Sequence, residues 1–306
     1  MRILVTGASG LLGLNVALEA TPQHTVFGVV NAHPIRGEVF TILRADLLAP
    51  GEIERVFKAA HPDWVIHCAA LAKLETCKRN PSLAQKLNAE LPEMLATAAR
   101  EAGARLAHIS TDAVFDGRKG NYTETDEPNP LSLYARTKLA GERAVADVYP
   151  QAIIARVNLF GWSLSGTRSL AEFFFNNLKA GKTMMGFTDV FFSPLLANDL
   201  GNVLLSMLAA DLHGLYHIGS QESLSKYEFG VKIAEKFSFD PTLIHPASVA
   251  DADLGASRSP NLSLCVDKLI HNLPSSTPKL STDLARFHEL YQQGYPQKLK
   301  QMVESK

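Results

Sequence analysis

Tyr134 and Lys138 stand four positions apart in the run Leu131-Ser132-Leu133-Tyr134-Ala135-Arg136-Thr137-Lys138. On a helix, residues i and i+4 share a face, with Cβ atoms about 5–6 Å apart. A phenol and an ammonium so placed can form a proton relay or can be two ordinary residues on a solvated face, and the pair alone does not decide. Upstream, His108-Ile109-Ser110-Thr111-Asp112 closes an apolar run with two hydroxyls and a carboxylate. If that run and the helix converge, the chemistry is defined. An unperturbed tyrosine ionises near pH 10, and a neighbouring lysine cation lowers that value. Tyr134 would give its proton to a carbonyl oxygen while a hydride reached the carbon. Thr111, or else Ser110, would hydrogen-bond to the same oxygen. Taken singly, either hydroxyl is more often a strand-end cap.

Positioning such a trio requires a scaffold, and the first half of the chain has the pattern of one. Short β-rich runs, Arg2–Thr6, Thr25–Val30, Thr41–Arg44, Asp63–His67, Arg105–Ser110 and Ala152–Val157, alternate with helix-length segments. Those segments are Leu11–Ala20, Glu52–Ala60, Ser82–Ala102 and Leu133–Ala146. Strands that are apolar almost throughout, alternating with helices, imply a parallel sheet covered on both faces. The expected fold is α/β, a Rossmann-type doubly wound parallel sheet followed by a smaller, mainly helical C-terminal part. In that second part the helical patterns are Ser169–Ala180, Asn198–Ala210, Lys226–Phe237 and Thr282–Gln293, with one strand at Gly214–Ile218. In such sheets ligands bind at the carboxyl ends of the strands, where Thr111 would lie.

Directly after the first strand comes Thr6-Gly7-Ala8-Ser9-Gly10-Leu11-Leu12-Gly13. The spacing is Gly-x-x-Gly-x-x-Gly, yet the logic is that of the dinucleotide loop. Gly7 permits the tight turn, Gly10 lets backbone approach a pyrophosphate, and Gly13 lets the helix pack closely on the strand. Unpaired N–H groups and the helix dipole then face the phosphates. Gly7, Ser9, Gly10, Leu11, Leu12 and Gly13 are therefore candidate cofactor ligands. An oxidised nicotinamide beside Tyr134 would lower its pKa further, and Lys138 would also hold the nicotinamide ribose. At the end of the second strand an acidic residue would select NAD through the ribose 2′-hydroxyl. The chain instead reads Val30-Asn31-Ala32-His33-Pro34-Ile35-Arg36. This favours NADP(H) over NAD(H), with Asn31 able to serve either. The expected division is a dinucleotide-binding domain over 1–160 and a substrate-binding domain over 161–306, with the chain allowed to re-cross.

Composition narrows the partners. A net charge of −1 over 306 residues, with Lys and Arg scattered, leaves no footprint for nucleic acid or an anionic membrane. Cys68, Cys77 and Cys265 have neither disulfide nor zinc spacing, and no metal site is expected. Cys68 reads as a small core residue. No apolar run reaches the roughly 20 residues of a membrane span, and the N-terminus reads as strand and loop, so a cytoplasmic setting is expected.

The glycine loop, the stretch Ser110-Thr111-Asp112-Ala113-Val114-Phe115-Asp116-Gly117 and the Tyr-x-x-x-Lys helix resemble the extended short-chain dehydrogenase/reductases, and within them the dTDP-4-dehydrorhamnose reductase group. Further matching pieces are Asp46-Leu47, His67-Cys68-Ala69-Ala70, Asn88, Tyr122-x-Glu124-x-Asp126, Leu196-x-x-Asp199, Gly214-x-Tyr216-His217-Ile218-Gly219 and Ser225-Lys226-Tyr227-Glu228. The resemblance implies Thr111, Tyr134 and Lys138 as catalytic trio, and Asp46, Leu47, Ala69, Ala70 and Leu71 in the cofactor site. It also implies a nucleotide-sugar substrate near Thr111 and Asp112, and a homodimer. Arg258 is a candidate for a substrate diphosphate, through its planar fork of donors. Two departures bear on the substrate: Ala113 replaces a tyrosine beside the sugar, and Leu159 stands where a tryptophan is expected. The related dehydratases carry glutamate at the position of Ala113, which argues against dehydration. Epimerisation with tightly bound NAD, and a non-catalytic role like that of the methionine adenosyltransferase β subunit, are the alternatives.

Overall fold

The structure, a computed structural model, describes residues 1–251, 259–274 and 279–303. Seven strands form one sheet: β1 (Arg2–Thr6), β2 (Thr25–Val30), β3 (Thr41–Arg44), β4 (Trp64–His67), β5 (Arg105–Thr111), β6 (Ile153–Val157) and β7 (Gly214–Ile218). Their spatial order is β7-β6-β5-β4-β1-β2-β3, and every pairing is parallel. The order reverses at β1, which lies between β2 and β4, so the crevice of a doubly wound sheet opens above it. β4 and β6 are buried along their whole length, which accounts for their unbroken apolar runs.

Alternate side chains of each strand feed two cores, as the two-residue period requires. Ile3, Val5, Ile66, Ala107 and Ile153 pack on the face covered by α1 (Leu11–Ala20). Leu4, Val65, Leu106 and Ile154 face α2 (Glu52–Ala60) and α3 (Leu91–Glu101). Helix α4 (Leu133–Val148) covers the same second face through Val145.

The stretch Ser82–Ala102, expected as one helix, is broken. Asn80 caps a short helix at Pro81–Gln85, a π turn spans Lys86–Glu90, and α3 follows. The π turn has a partner. A Cβ on Gly141 of α4 would lie 2.2 Å from the Asn88 carbonyl oxygen, so the two backbones touch. Asn88 itself is fully buried, receiving the Leu71 N–H at 2.8 Å and donating to Leu71 O at 3.1 Å and Thr137 Oγ1 at 3.0 Å. Tertiary contact here overrides helical periodicity, and π bulges are frequent at functional sites.

Beyond residue 160 the chain forms α5 (Leu170–Lys179), α6 (Ala197–Ala209), α7 (Lys226–Phe237) and α8 (Leu280–Gln292). Helices α5 and α7 each begin in a reciprocal capping box, Ser169 with Glu172 and Ser225 with Glu228. Phe174 and Phe175 are buried and Phe173 exposed, as one helix face demands. The chain returns to the large sheet at β7, and Arg286 of α8 binds Glu19 of α1 at 2.8 Å.

Candidate active site

The glycine loop is shaped by close approach. Gly7 has φ +67°, and a Cβ there would stand 2.8 Å from both Cα and N of Ala69 at the end of β4. A Cβ on Gly13 would lie 2.4 Å from the Gly7 carbonyl oxygen, so α1 begins directly against the turn. Gly10 borders the cavity, and its N–H closes the turn on Gly7 O at 2.8 Å. Gly10 is the N-cap of α1, and no side chain caps that end. The first-turn N–H groups thus face a cavity of about 400 Å³ with no side-chain acceptor.

That cavity is walled by Gly10, Leu11, Leu12, Gly13 and Ala70 on one side, and by Thr111, Tyr134 and Lys138 on the other. A smaller recess of about 80 Å³ contains Gly7, Asn31, Asp46, Leu47 and Ala69. Together these hold most of the expected cofactor residues. Ser9 stands in the loop outside both walls, and Leu71 turns its backbone to Asn88. Asp46 Oδ1 also accepts the Leu48 N–H at 3.1 Å, so it shapes a turn as well as the recess. Arg36, a cation beyond Asn31, donates from its Nε to Gln301 O at 3.1 Å. An uncapped helix start and a cradle that Cβ atoms would fill fit a dinucleotide.

The carboxyl end of β5 separates the two hydroxyls. Ser110 Oγ donates to Glu142 Oε1, and Glu142 is in turn paired with Arg156 at 2.8 Å in the interior. The Ser110 hydroxyl is spent on this triad. Thr111 Oγ1 lies on the cavity side, donating to Asp112 Oδ1 at 3.0 Å and accepting the Ala113 N–H at 3.2 Å. Of the alternatives at this strand end, Thr111 is the one whose hydroxyl borders the cavity without being tied to the interior.

Ser132 caps α4 by accepting the Ala135 N–H at 3.1 Å, which sets Tyr134 in the first turn above Thr111. Lys138, one turn further, is 2% exposed. Its Nζ donates to Ile109 O at 2.6 Å and lies 3.4 Å from His108 Nε2. Burial brings the Lys138 ammonium down to about 8, opposed by the charge of Glu142. Burial pushes the Tyr134 phenol up to about 12; the Thr111 hydroxyl pulls it down and the Asp112 charge pushes it further up. Beneath Lys138, His67 and His108 stack at 5.2 Å, and burial holds both well below the usual histidine range. Both are therefore neutral at physiological pH.

A second cavity of about 600 Å³ continues outward, with Ala113, Lys73, Phe191 and Lys226 in its wall. Ala113 contributes only a methyl group there, while Leu159 lines the inner cavity. Trp162 is buried and stacked on Phe287 at 4.1 Å, away from both. Asp112 and Asn158 line both cavities, and Asn158 Nδ2 donates to Asp112 Oδ2. Asn158, Arg168 and Lys226 were not singled out from the sequence. The available signal for Asn158 was a polar residue immediately after a buried strand that ends at the crevice. Cys68 packs against the first core, as expected, and also lines the inner cavity, and burial pushes its thiol up to about 12. Arg258 lies outside the described residues. Among the described residues, no three metal-ligating side chains cluster, and no helix is long and apolar enough to cross a membrane.

Comparison with known proteins agrees with this architecture. The family profile described as "RmlD substrate binding domain" matches residues 1–293. A Haloferax volcanii protein named "Probable low-salt glycan biosynthesis reductase Agl14" is 34% identical, over 93% of this chain and 96% of its own. The "Methionine adenosyltransferase 2 subunit beta" of Danio rerio is 33% identical, over 88% and 84%. The crystal structure of dTDP-4-dehydrorhamnose reductase from Bacillus anthracis in complex with NADP superposes with a TM-score of 0.81, at 26% identity, over 94% of this chain and 98% of that one. With the profile spanning both parts of the chain and the crevice built as that fold requires, the chain belongs to the dTDP-4-dehydrorhamnose reductase-like family of extended short-chain dehydrogenase/reductases.

Proposed function

We propose that the protein reduces the 4-keto group of a nucleotide-linked deoxysugar, with NADPH as reductant and Tyr134 as proton donor. The observation that carries this reading is the shared cavity: the start of α1, uncapped, faces Thr111, Tyr134 and Lys138 across about 400 Å³. The reductases among its relatives, one of them in complex with NADP, support the reaction class and the cofactor. The backbone of Gly10, Leu11, Leu12 and Gly13 would hold the pyrophosphate, with Asn31, Asp46, Leu47 and Ala69 around the adenosine and Lys138 on the ribose. Bound there, the nicotinamide supplies the hydride.

The chain's own groups manage the proton. At about 12 in the free chain, Tyr134 is fully protonated at neutral pH, the state a donor needs. As the carbonyl oxygen gains charge, Tyr134 Oη passes its proton to that oxygen, and the Lys138 ammonium stabilises the tyrosinate left behind. Thr111 Oγ1 steadies the same oxygen. The sugar would occupy the outer cavity, which Ala113 leaves open where a larger side chain would close it.

The test is oxidation of NADPH by the purified protein with a dTDP-4-keto-6-deoxyhexose, wild type against Tyr134→Phe. Loss of about 10²–10⁴-fold in kcat is expected, the usual worth of a general acid. A folded Phe variant that keeps wild-type kcat removes Tyr134 from the reaction. One specific observation favours a second reading, the 33% identity to a methionine adenosyltransferase β subunit. A wild type that binds NADPH, turns over no keto sugar and co-purifies with a methionine adenosyltransferase would establish that role instead.

A further inference from the structure

Thr111 is in the wrong hydrogen-bonding state for the part assigned to it. A hydroxyl has one proton and two lone pairs. Here the proton goes to Asp112 Oδ1 at 3.0 Å, and a lone pair takes the Ala113 N–H at 3.2 Å. While Asp112 holds that proton, Thr111 can only accept, from Tyr134 or from the cavity, and a ketone oxygen is itself only an acceptor. The obstacle is Asp112, which is 4% exposed and stands where the two cavities meet.

Resting on the ketoreductase reading, we infer that Asp112 takes up a proton from solvent when the keto sugar binds, and that this carboxylic acid turns Thr111 into a hydrogen-bond donor. The new O–H on Asp112 donates to Thr111 Oγ1, whose own O–H then rotates to the carbonyl. Thr111 now uses both lone pairs and its proton, Asp112 Oδ2 keeps the Asn158 amide, and no bond to carbon is made or broken. The proton returns to solvent as product leaves. Asp112 is a positioning residue that acts through Thr111.

The electrostatics of the junction agree. Tyr134 from α4 faces Asp112, and an ionised Asp112 opposes formation of the tyrosinate. Lys226 from α7 favours the carboxylate, as do the bonds from Asn158, Thr111 and the Ala113 backbone, yet burial outweighs them and holds the carboxyl up at about 6. Lys73 and Glu75 share the outer wall with opposite charges. One proton is thus within reach near neutral pH.

Asp112→Asn is the discriminating variant. Its amide N–H₂ replaces the acid O–H toward Thr111, and its carbonyl accepts from Asn158, so the protonated arrangement becomes permanent. With NADPH saturating, wild-type kcat/KM for the keto sugar should fall about tenfold per pH unit above about 6. The variant should lack that limb, so the ratio of variant to wild type climbs about 100-fold over two pH units. A variant with the wild-type limb overturns the proposal. Infrared difference spectra of wild type minus Asp112→Asn, taken without substrate, give a second readout. A protonated carboxyl band with a midpoint near 6 is expected, and a midpoint in the ordinary carboxylate range overturns the inference. If the Asn variant fails to fold, Asn158→Leu removes one hydrogen bond to the carboxylate and should move the infrared midpoint upward. A midpoint that stays in place refutes the coupling. Wild type that reduces no keto sugar refutes the proposed function, and the infrared titration then still judges Asp112.

Discussion

Replacing Glu142 with glutamine probes how the interior supports the site. Glu142 sits inside α4, accepting from Arg156 at 2.8–3.1 Å through Nε and Nη2, and from the Ser110 hydroxyl. Arg156 is 3% exposed, lies 5.0 Å over the Phe115 ring and has no other carboxylate partner among the ion pairs of the described residues. Taking away the charge strands a buried guanidinium, which costs about 3–5 kcal/mol. At about 2.1 cal/mol/K per residue, a 306-residue chain unfolds with an entropy of about 0.64 kcal/mol/K, so Glu142→Gln should lower Tm by roughly 5–8 °C. The double variant Glu142→Gln/Arg156→Met removes the stranded charge and should recover most of that loss. Differential scanning calorimetry on the four proteins of the cycle reads both numbers. A single variant within about 1 kcal/mol of wild type, or a double variant that loses the sum of the singles, refutes the pairing argument. The same substitution has a kinetic signature, because the Glu142 charge opposes the burial that lowers Lys138. Without it the lysine loses its proton below about 8, and the alkaline limb of kcat should move to lower pH.

Two further outcomes follow from the packing. Asp283 is 2% exposed, and burial together with the Asp199 charge raises its carboxyl far above the carboxylate range. Its folded pKa exceeds its unfolded one, so the native state binds the extra proton and stability falls as pH rises between the two values. Asp283→Asn should therefore gain stability over wild type at alkaline pH and lose that advantage toward pH 5, read as paired urea melts; a difference independent of pH counts against the burial argument. Gly13→Ala places a methyl group 2.4 Å from Gly7 O. The start of α1 must shift, and NADPH affinity measured by calorimetry should fall by at least about tenfold, equivalent to about 1.4 kcal/mol; unchanged affinity would remove the loop from the cofactor site.

The nucleotide-binding half was legible because its signals are local. Apolar runs of strand length, helical periodicity between them and a glycine loop after the first strand each report on dihedrals and burial within a few residues. The same holds for Tyr134 and Lys138, whose spacing alone puts them on one face of α4. Strand alternation likewise says that Ser110 and Thr111 point oppositely. It does not say whose hydroxyl is left for the cavity that both residues line; Glu142 and Arg156, from two other elements, decide that by claiming the Ser110 hydroxyl. The break in Ser82–Ala102 arises in the same way, from contact between Asn88 and Gly141 of α4. Arg36 has the charge for a phosphate, but backbone near residue 301 takes its Nε. Sequence by itself determined the scaffold and the residue types brought to its edge, since these rest on short-range periodicity and steric need. Tertiary structure decided which protons and charges are already spent, because a hydrogen bond or buried pair is formed by whatever distant segment arrives within about 3 Å.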